Sequence, residues 1–313
     1  MTQFYEVVSK ALPVILLIIL GACLRYSQFI SKTAIGDFKK IIVNIALPST
    51  LLLTFAGTTF AGKYLWIVLC VFAICVLMLF AGLIIGRKMS PENKYFPALF
   101  TGFEAGMLGY ALFASFFGSE NVFKFAIIDI GQVVFVFFVL TAFLRSRNGE
   151  TATAKSLLSG FFRSPVIISI LLGVLIGVTG VFSAISENRI GISFIEVLKL
   201  LGGLTQPLIC IVIGYELKIN LKNMLVPLVA VLLRMSIFLG IAYILNTLLI
   251  DGALHLDQSF QIAVYTMFLL PPPFVIPIFM ADSAEKEKPI ILDMISLHIL
   301  CSLAAYIVLV SII

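Results

Sequence analysis

Two short runs hold residue types that an ordinary apolar helix excludes. One reads Thr101-Gly102-Phe103-Glu104-Ala105-Gly106-Met107-Leu108-Gly109-Tyr110, and the other Leu270-Pro271-Pro272-Pro273-Phe274-Val275-Ile276-Pro277. Successive prolines remove backbone donors and clash with the preceding turn, so no α-helix continues through them. Deep in lipid, carbonyls freed in this way must be buried in protein or face a watery cavity. A pocket between two such breaks could hold a small solute. Phe103, Glu104, Ala105 and Tyr110 of the first run and Pro271, Pro272, Pro273 and Phe274 of the second are the substrate-binding candidates. An ionisable group at mid-membrane is costly and marks function by default. Glu104 is therefore also a candidate for proton or ion coupling, with capping of the broken helix as its structural alternative.

Asp129 and Gln132 lie three apart, on one helical face. They could bind a coupling ion, or satisfy each other and the broken backbone. Arg234 interrupts an otherwise apolar run and needs a carboxylate or several carbonyls. Asp293, Glu104 and Asp129 are its candidate charge partners. His298 is expected in a structural hydrogen bond, His255 in an outer loop, and Met107 and Met267 in packing. The five cysteines, Cys23, Cys70, Cys75, Cys210 and Cys301, all fall in apolar runs without a metal-ligand or redox spacing. No metal and no cofactor are expected. There is no nucleophile elbow and no phosphate-gripping loop, so an enzyme or an ATP-driven pump is not expected either.

The elements that must position these residues follow from composition. The chain has 313 residues, 61% of them hydrophobic and 12% charged, where a soluble domain carries roughly 25% charge. So much apolar surface needs a lipid bilayer as partner. A spanning helix takes about 20 apolar residues. Ten candidates result, at about 11–27, 39–60, 64–86, 96–117, 122–144, 165–183, 194–215, 224–249, 260–280 and 289–312. Fifteen Lys and Arg residues fall in loops on one side, among them Arg25, Arg87, Arg145, Lys218, Lys222 and Lys288, against five (Lys10, Lys63, Lys124, Arg189 and Lys199) on the other. That asymmetry places both termini outside and the central loop in the cytoplasm. The net charge of +5 is spread over these loops and is not a nucleic-acid signature.

Breakers recur at corresponding places in the two halves. The second span of each half has a proline, in Ala46-Leu47-Pro48-Ser49 and Thr205-Gln206-Pro207-Leu208, and the fourth span of each half has one of the two broken runs. Five spans per half require an inverted repeat. The expected organisation is a first repeat over 1–145, a cytoplasmic linker over 146–164 and a second repeat over 165–313, all α-helical, with broken helices four and nine. Glycines such as Gly173, Gly177 and Gly180 favour close helix packing.

On Ala46-Leu47-Pro48, Gly106-x-x-Gly109, Gln206-Pro207-Leu208 with Gly214-x-x-Leu217, and Pro271-Pro272 with Pro277, the chain resembles the auxin efflux carrier family. Plant PIN proteins and bacterial malonate and malate permeases belong to it, and the resemblance runs over the whole chain. It implies the crossed-helix fold shared with bile-acid sodium symporters, an elevator-like motion and a homodimer. Helices 1, 2, 6 and 7 would form the scaffold, and helices 3–5 and 8–10 the transport part. Many relatives have Asn where Glu104 stands and Pro where Ala111 stands. The expected function is secondary transport of a small organic acid across the plasma membrane, coupled to H+ or Na+. Two mid-membrane carboxylates, Glu104 and Asp129, keep a cationic or zwitterionic cargo such as an amino acid as the alternative.

Overall fold

A computed structural model describes residues 2–58, 61–150, 153–217, 224–280, 284 and 286–312, and leaves the side chains of 2–11, 107, 119 and 312 undescribed. The expectations placed on Lys10, Met107, Lys218 and Lys222 therefore lie outside the described side chains. Among the described residues every regular element is helical. In chain order the helices are α1 (Thr2–Tyr26), α2 (Lys32–Ala56), α3 (Tyr64–Met89), α4 (Tyr110–Phe117), α5 (Val122–Arg147), α6 (Ala154–Arg163) and α7 (Pro165–Thr179). They continue as α8 (Val181–Glu187), α9 (Arg189–Glu216), α10 (Leu225–Ala253), α11 (Gln258–Leu269), α12 (Val275–Phe279) and α13 (Lys288–Ile312).

Six of these, α2, α3, α5, α9, α10 and α13, are long and apolar enough to cross a bilayer, and α6 with α7 makes a seventh if that bent pair is one span. The chain is a multi-pass α-helical membrane protein. Large apolar side chains stay exposed along α3 (Leu65, Leu69, Leu77, Phe80, Ile84) and α7 (Leu171, Leu175, Val178). Such faces suit hydrocarbon, and the helices behind them satisfy their own backbone groups.

The prolines shape the helices locally. Pro48 has no N–H to donate within α2. The chain accommodates it with a wider turn over Ile42–Ala46, where Leu47 N–H reaches back five residues to Ile42 O. Pro207 falls in the first turn after a break in α9 at Leu204, where a missing donor costs least.

Contacts divide the chain into two compact units that interleave along the sequence. Unit one comprises Met1–Tyr64, Gly106–Ala126 and Phe161–Leu217, and thus α1, α2, α4, α7, α8 and α9. Its helices approach through glycines. A Cβ on Gly214 would lie 1.8 Å from Ile18 O, and one on Gly21 would lie 2.1 Å from Ile211 O. Only hydrogen fits there, so α1 and α9 touch backbone to backbone. Gly173 and Gly177 do the same for α7 on α2, each placing a would-be Cβ 2.7 Å from an atom of Phe55. Gly180, expected in the same stripe, instead ends α7 with φ of 69° and no neighbour at its Cα, which is the left-handed C-cap role. On the pair of α1 and α9, Arg25 Nη1 donates to Tyr215 O at 2.9 Å and to Leu217 O, closing the carbonyl end of α9 with a cation.

Unit two comprises Leu65–Ala105, Ile127–Gly160 and Lys218–Ile313. It holds α3, most of α5 and α10 to α13. Gly82 of α3 lies against Pro97 O, where a Cβ would come within 2.3 Å, and Gly131 of α5 lies against Val68 O, at 2.4 Å. These contacts bring α3, α5 and the tight turn Phe96–Phe100 together around the first broken run.

Candidate functional site

The first broken run leaves helical conformation over 101–104, after Phe96–Phe100, and resumes as a wide turn over Ala105–Gly109 that leads into α4. The second leaves it over 270–274, between α11 and α12. The two breaks satisfy each other. Glu104 N–H donates to Pro271 O at 2.9 Å, and Phe274 N–H donates to Glu104 Oε2 at 2.6 Å. One residue thus uses both backbone and side chain to hold the proline run. Glu104 is 8% exposed, so its carboxylate works in a low-dielectric setting where such bonds are strong.

Around this pair, Gln132 Oε1 accepts from Phe103 N–H at 3.3 Å, and Gln132 Nε2 donates to Asp129 Oδ1 at 2.8 Å. Asp129 and Gln132 are both buried. Thr101 Oγ1 donates to Cys75 O at 2.5 Å, tying the run to α3. Gly102 adopts φ of 62°, which an L-residue visits only under strain. A Cβ there would lie 2.7 Å from Pro273 Cγ. Phe103 stacks edge-on against Phe238 of α10 and Phe268 of α11, with ring centres 4.8 and 5.0 Å away.

Phe103, Glu104, Ala105, Pro271, Pro272, Pro273 and Phe274 are therefore gathered in unit two with Asp129 and Gln132. All are buried except Phe274, which is half-buried. Tyr110 belongs to unit one. There it packs against Phe125, ring centres 4.9 Å apart, and lines a half-open cavity of about 630 Å³. Thr50 and Thr54 of α2 and Lys199, Thr205 and Gln206 of α9 share that lining, with Glu120 between α4 and α5. Gln206 Nε2 donates to Ser115 Oγ of α4 at 2.7 Å. Pockets of this size take small molecules. Sequence reasoning quoted Gln206 only as part of a proline motif. Thr205 was quoted in the same motif, and Thr50 and Thr54 were missed, because hydroxyls one turn apart are ordinary in membrane helices.

Arg234 was expected to need a carboxylate or several carbonyls, and it meets carbonyls. Among the described residues its hydrogen bonds all go to backbone carbonyls, at Leu99, Gly102 and Leu270. Asp293 is half-exposed on α13 and makes no ion pair with Arg234 among the described residues.

His298 was expected to make a hydrogen bond. It is fully buried on α13, and among the described residues no hydrogen bond joins either ring nitrogen to a partner. The nearby carbonyl, Leu269 O, accepts from Ser302 Oγ at 2.6 Å. An unpaired buried polar group costs about 1–3 kcal/mol. His298→Leu should therefore keep or raise the melting temperature of the purified protein, by a few degrees at most. A clear drop in thermal unfolding would mean that the imidazole is bonded after all.

No family model matches the chain. Over 213 residues it is 24% identical to an uncharacterized transporter of Methanocaldococcus jannaschii, a stretch covering 66% of this chain and 67% of that one.

Proposed function

We propose that this protein is a secondary transporter of a small organic acid, of the malate, malonate or auxin-like class, working by elevator-type alternating access. The observation that carries the reading is the mutual satisfaction of the two breaks: Glu104 bonded both ways to Pro271 and Phe274. Interrupted helices at membrane depth, paired between two halves of a chain, mark the binding sites of carriers. The similarity to a transporter supports transport as the class, and the resemblance to auxin efflux carriers supports the cargo.

On this reading ten spans form two inverted repeats, with the breaks in the fourth and ninth. Unit two, which holds both breaks, is the moving part. Unit one supplies the scaffold and, through α2 and α9, the surface for a homodimer in the plasma membrane. The division into units supports this assignment, with α4 falling on the scaffold side. The cavity beside Tyr110 is wide enough for a small acid. Its lining includes Lys199, which is paired with Glu196 at 2.7 Å, and the carboxylate of Glu120.

A cationic or zwitterionic cargo is the second reading. Glu104 and Asp129, two buried carboxylates in the same unit, favour it. A thermal-shift screen of the purified protein against organic acids and amino acids separates the two, because a bound ligand stabilises the folded state in proportion to the logarithm of one plus its concentration over its dissociation constant. Stabilisation by dicarboxylates or aromatic weak acids supports the first reading. Stabilisation by lysine or other amines alone replaces it with the second.

A further inference from the structure

Three carbonyls at the two breaks converge on a side chain that belongs to neither. Arg234 comes from the middle of α10 and is fully buried. Its Nη1 donates to Leu99 O at 2.8 Å, and its Nη2 donates to Gly102 O at 2.6 Å and reaches Leu270 O at 3.4 Å. Leu99 lies near the end of the turn Phe96–Phe100, Gly102 lies within the first break, and Leu270 caps the last turn of α11. The carbonyl ends of helical segments carry partial negative charge. Here two such ends, one from each broken run, are aimed at one point, and the point is occupied by a guanidinium carbon lying 5.4 Å from the Phe103 ring centre and 4.6 Å from that of Phe238. Aromatic faces add further attraction for a cation.

Unwound carbonyls and half-helix C-terminal ends are also the groups with which carriers hold a coupling sodium ion. We propose that Arg234 is a tethered cation: its guanidinium fills the carbonyl cradle of the two breaks and does there what a soluble sodium ion would otherwise do. Because the guanidinium is tethered to α10, it occupies the cradle without drawing on a soluble ion. Assembly of the crossing, and with it the transport cycle proposed above, then needs no Na+. Arg234 acts as a positioning residue. It fixes the backbone just before Glu104 and just before Glu104's partner Pro271, and does not contact the solute.

The inference deepens the proposed function and rests on it for the cycle, but its test does not need a cargo. Thermal unfolding of the full chain in detergent is compared in sodium chloride and in N-methyl-D-glucamine chloride at equal ionic strength. The wild-type protein is expected to melt at the same temperature in both. Arg234→Ala is expected to melt lower and to recover by roughly 5 °C when guanidinium or Na+ is added near saturation, but not when N-methyl-D-glucamine is added. Arg234→Lys keeps a charge on the tether and is expected to remain insensitive to Na+. If the alanine variant does not fold, the wild-type and lysine proteins decide alone. Selective stabilisation of either of these by Na+ overturns the proposal, as does an alanine variant that folds and ignores both cations. A chain that binds no organic acid would remove the proposed cargo and leave these melting results standing.

Discussion

Glu104→Ala should melt several degrees below the wild-type protein, and Glu104→Gln should not. The carboxylate accepts the Phe274 N–H at 2.6 Å in a buried setting. Removing the acceptor strands that donor and loses a charge-assisted bond, a cost of about 1.5–3 kcal/mol. For a chain of this size that corresponds to roughly 5 °C in melting temperature. Glutamine keeps an acceptor oxygen at the same reach, so the crossing survives. It cannot exchange a proton, however. Under the proposed function, uptake by Glu104→Gln in proteoliposomes should therefore lose most of its dependence on pH while the protein stays folded. A pH profile identical to wild type would take Glu104 out of coupling and leave it the structural role of holding Phe274.

The second large effect is expected at Gly102. Its φ of 62° is a left-handed conformation that costs a β-branched residue on the order of 1–3 kcal/mol. Its Cα also faces the Pro273 ring, with a would-be Cβ 2.7 Å from Cγ, and forcing a group into such a space costs about 1–3 kcal/mol more. Gly102→Val should lower the melting temperature by on the order of 10 °C. Gly102→Ala should do so by less. Combining Gly102→Ala with Pro273→Ala removes the overlap and leaves the backbone strain, so the two changes together should cost less than the sum of each alone. Additive losses would mean that the two breaks do not touch at this point.

What was legible in the sequence was chemistry that a helix forbids. Three prolines in a row and a glycine-rich run around a lone glutamate announce interrupted backbone, and both interruptions are present at 101–104 and 270–274. The pairing of Asp129 with Gln132 was also readable, because three residues along a helix is a contact distance. What was not legible is which groups meet across the chain. Arg234 announced only that it needed partners. That these are the carbonyls of Leu99, Gly102 and Leu270 depends on where two stretches far apart in the chain end, and backbone carbonyls leave no residue-type signature. His298 is the opposite case: imidazoles are usually bonded, and this one has no hydrogen-bond partner among the described residues. Tyr110 was grouped with Glu104 by proximity in sequence. The helical turn that begins at Ala105 carries it into the other unit.

The central claim is that a polar crossing of two broken segments carries a small organic acid through the bilayer. The most direct measurement is uptake of labelled malate, malonate and an aromatic weak acid into proteoliposomes containing the purified chain, as a function of external concentration. The account predicts uptake of at least one of them that saturates and is competed by its unlabelled form. Uptake indistinguishable from protein-free liposomes for all three, or flux rising linearly without saturation, would contradict it.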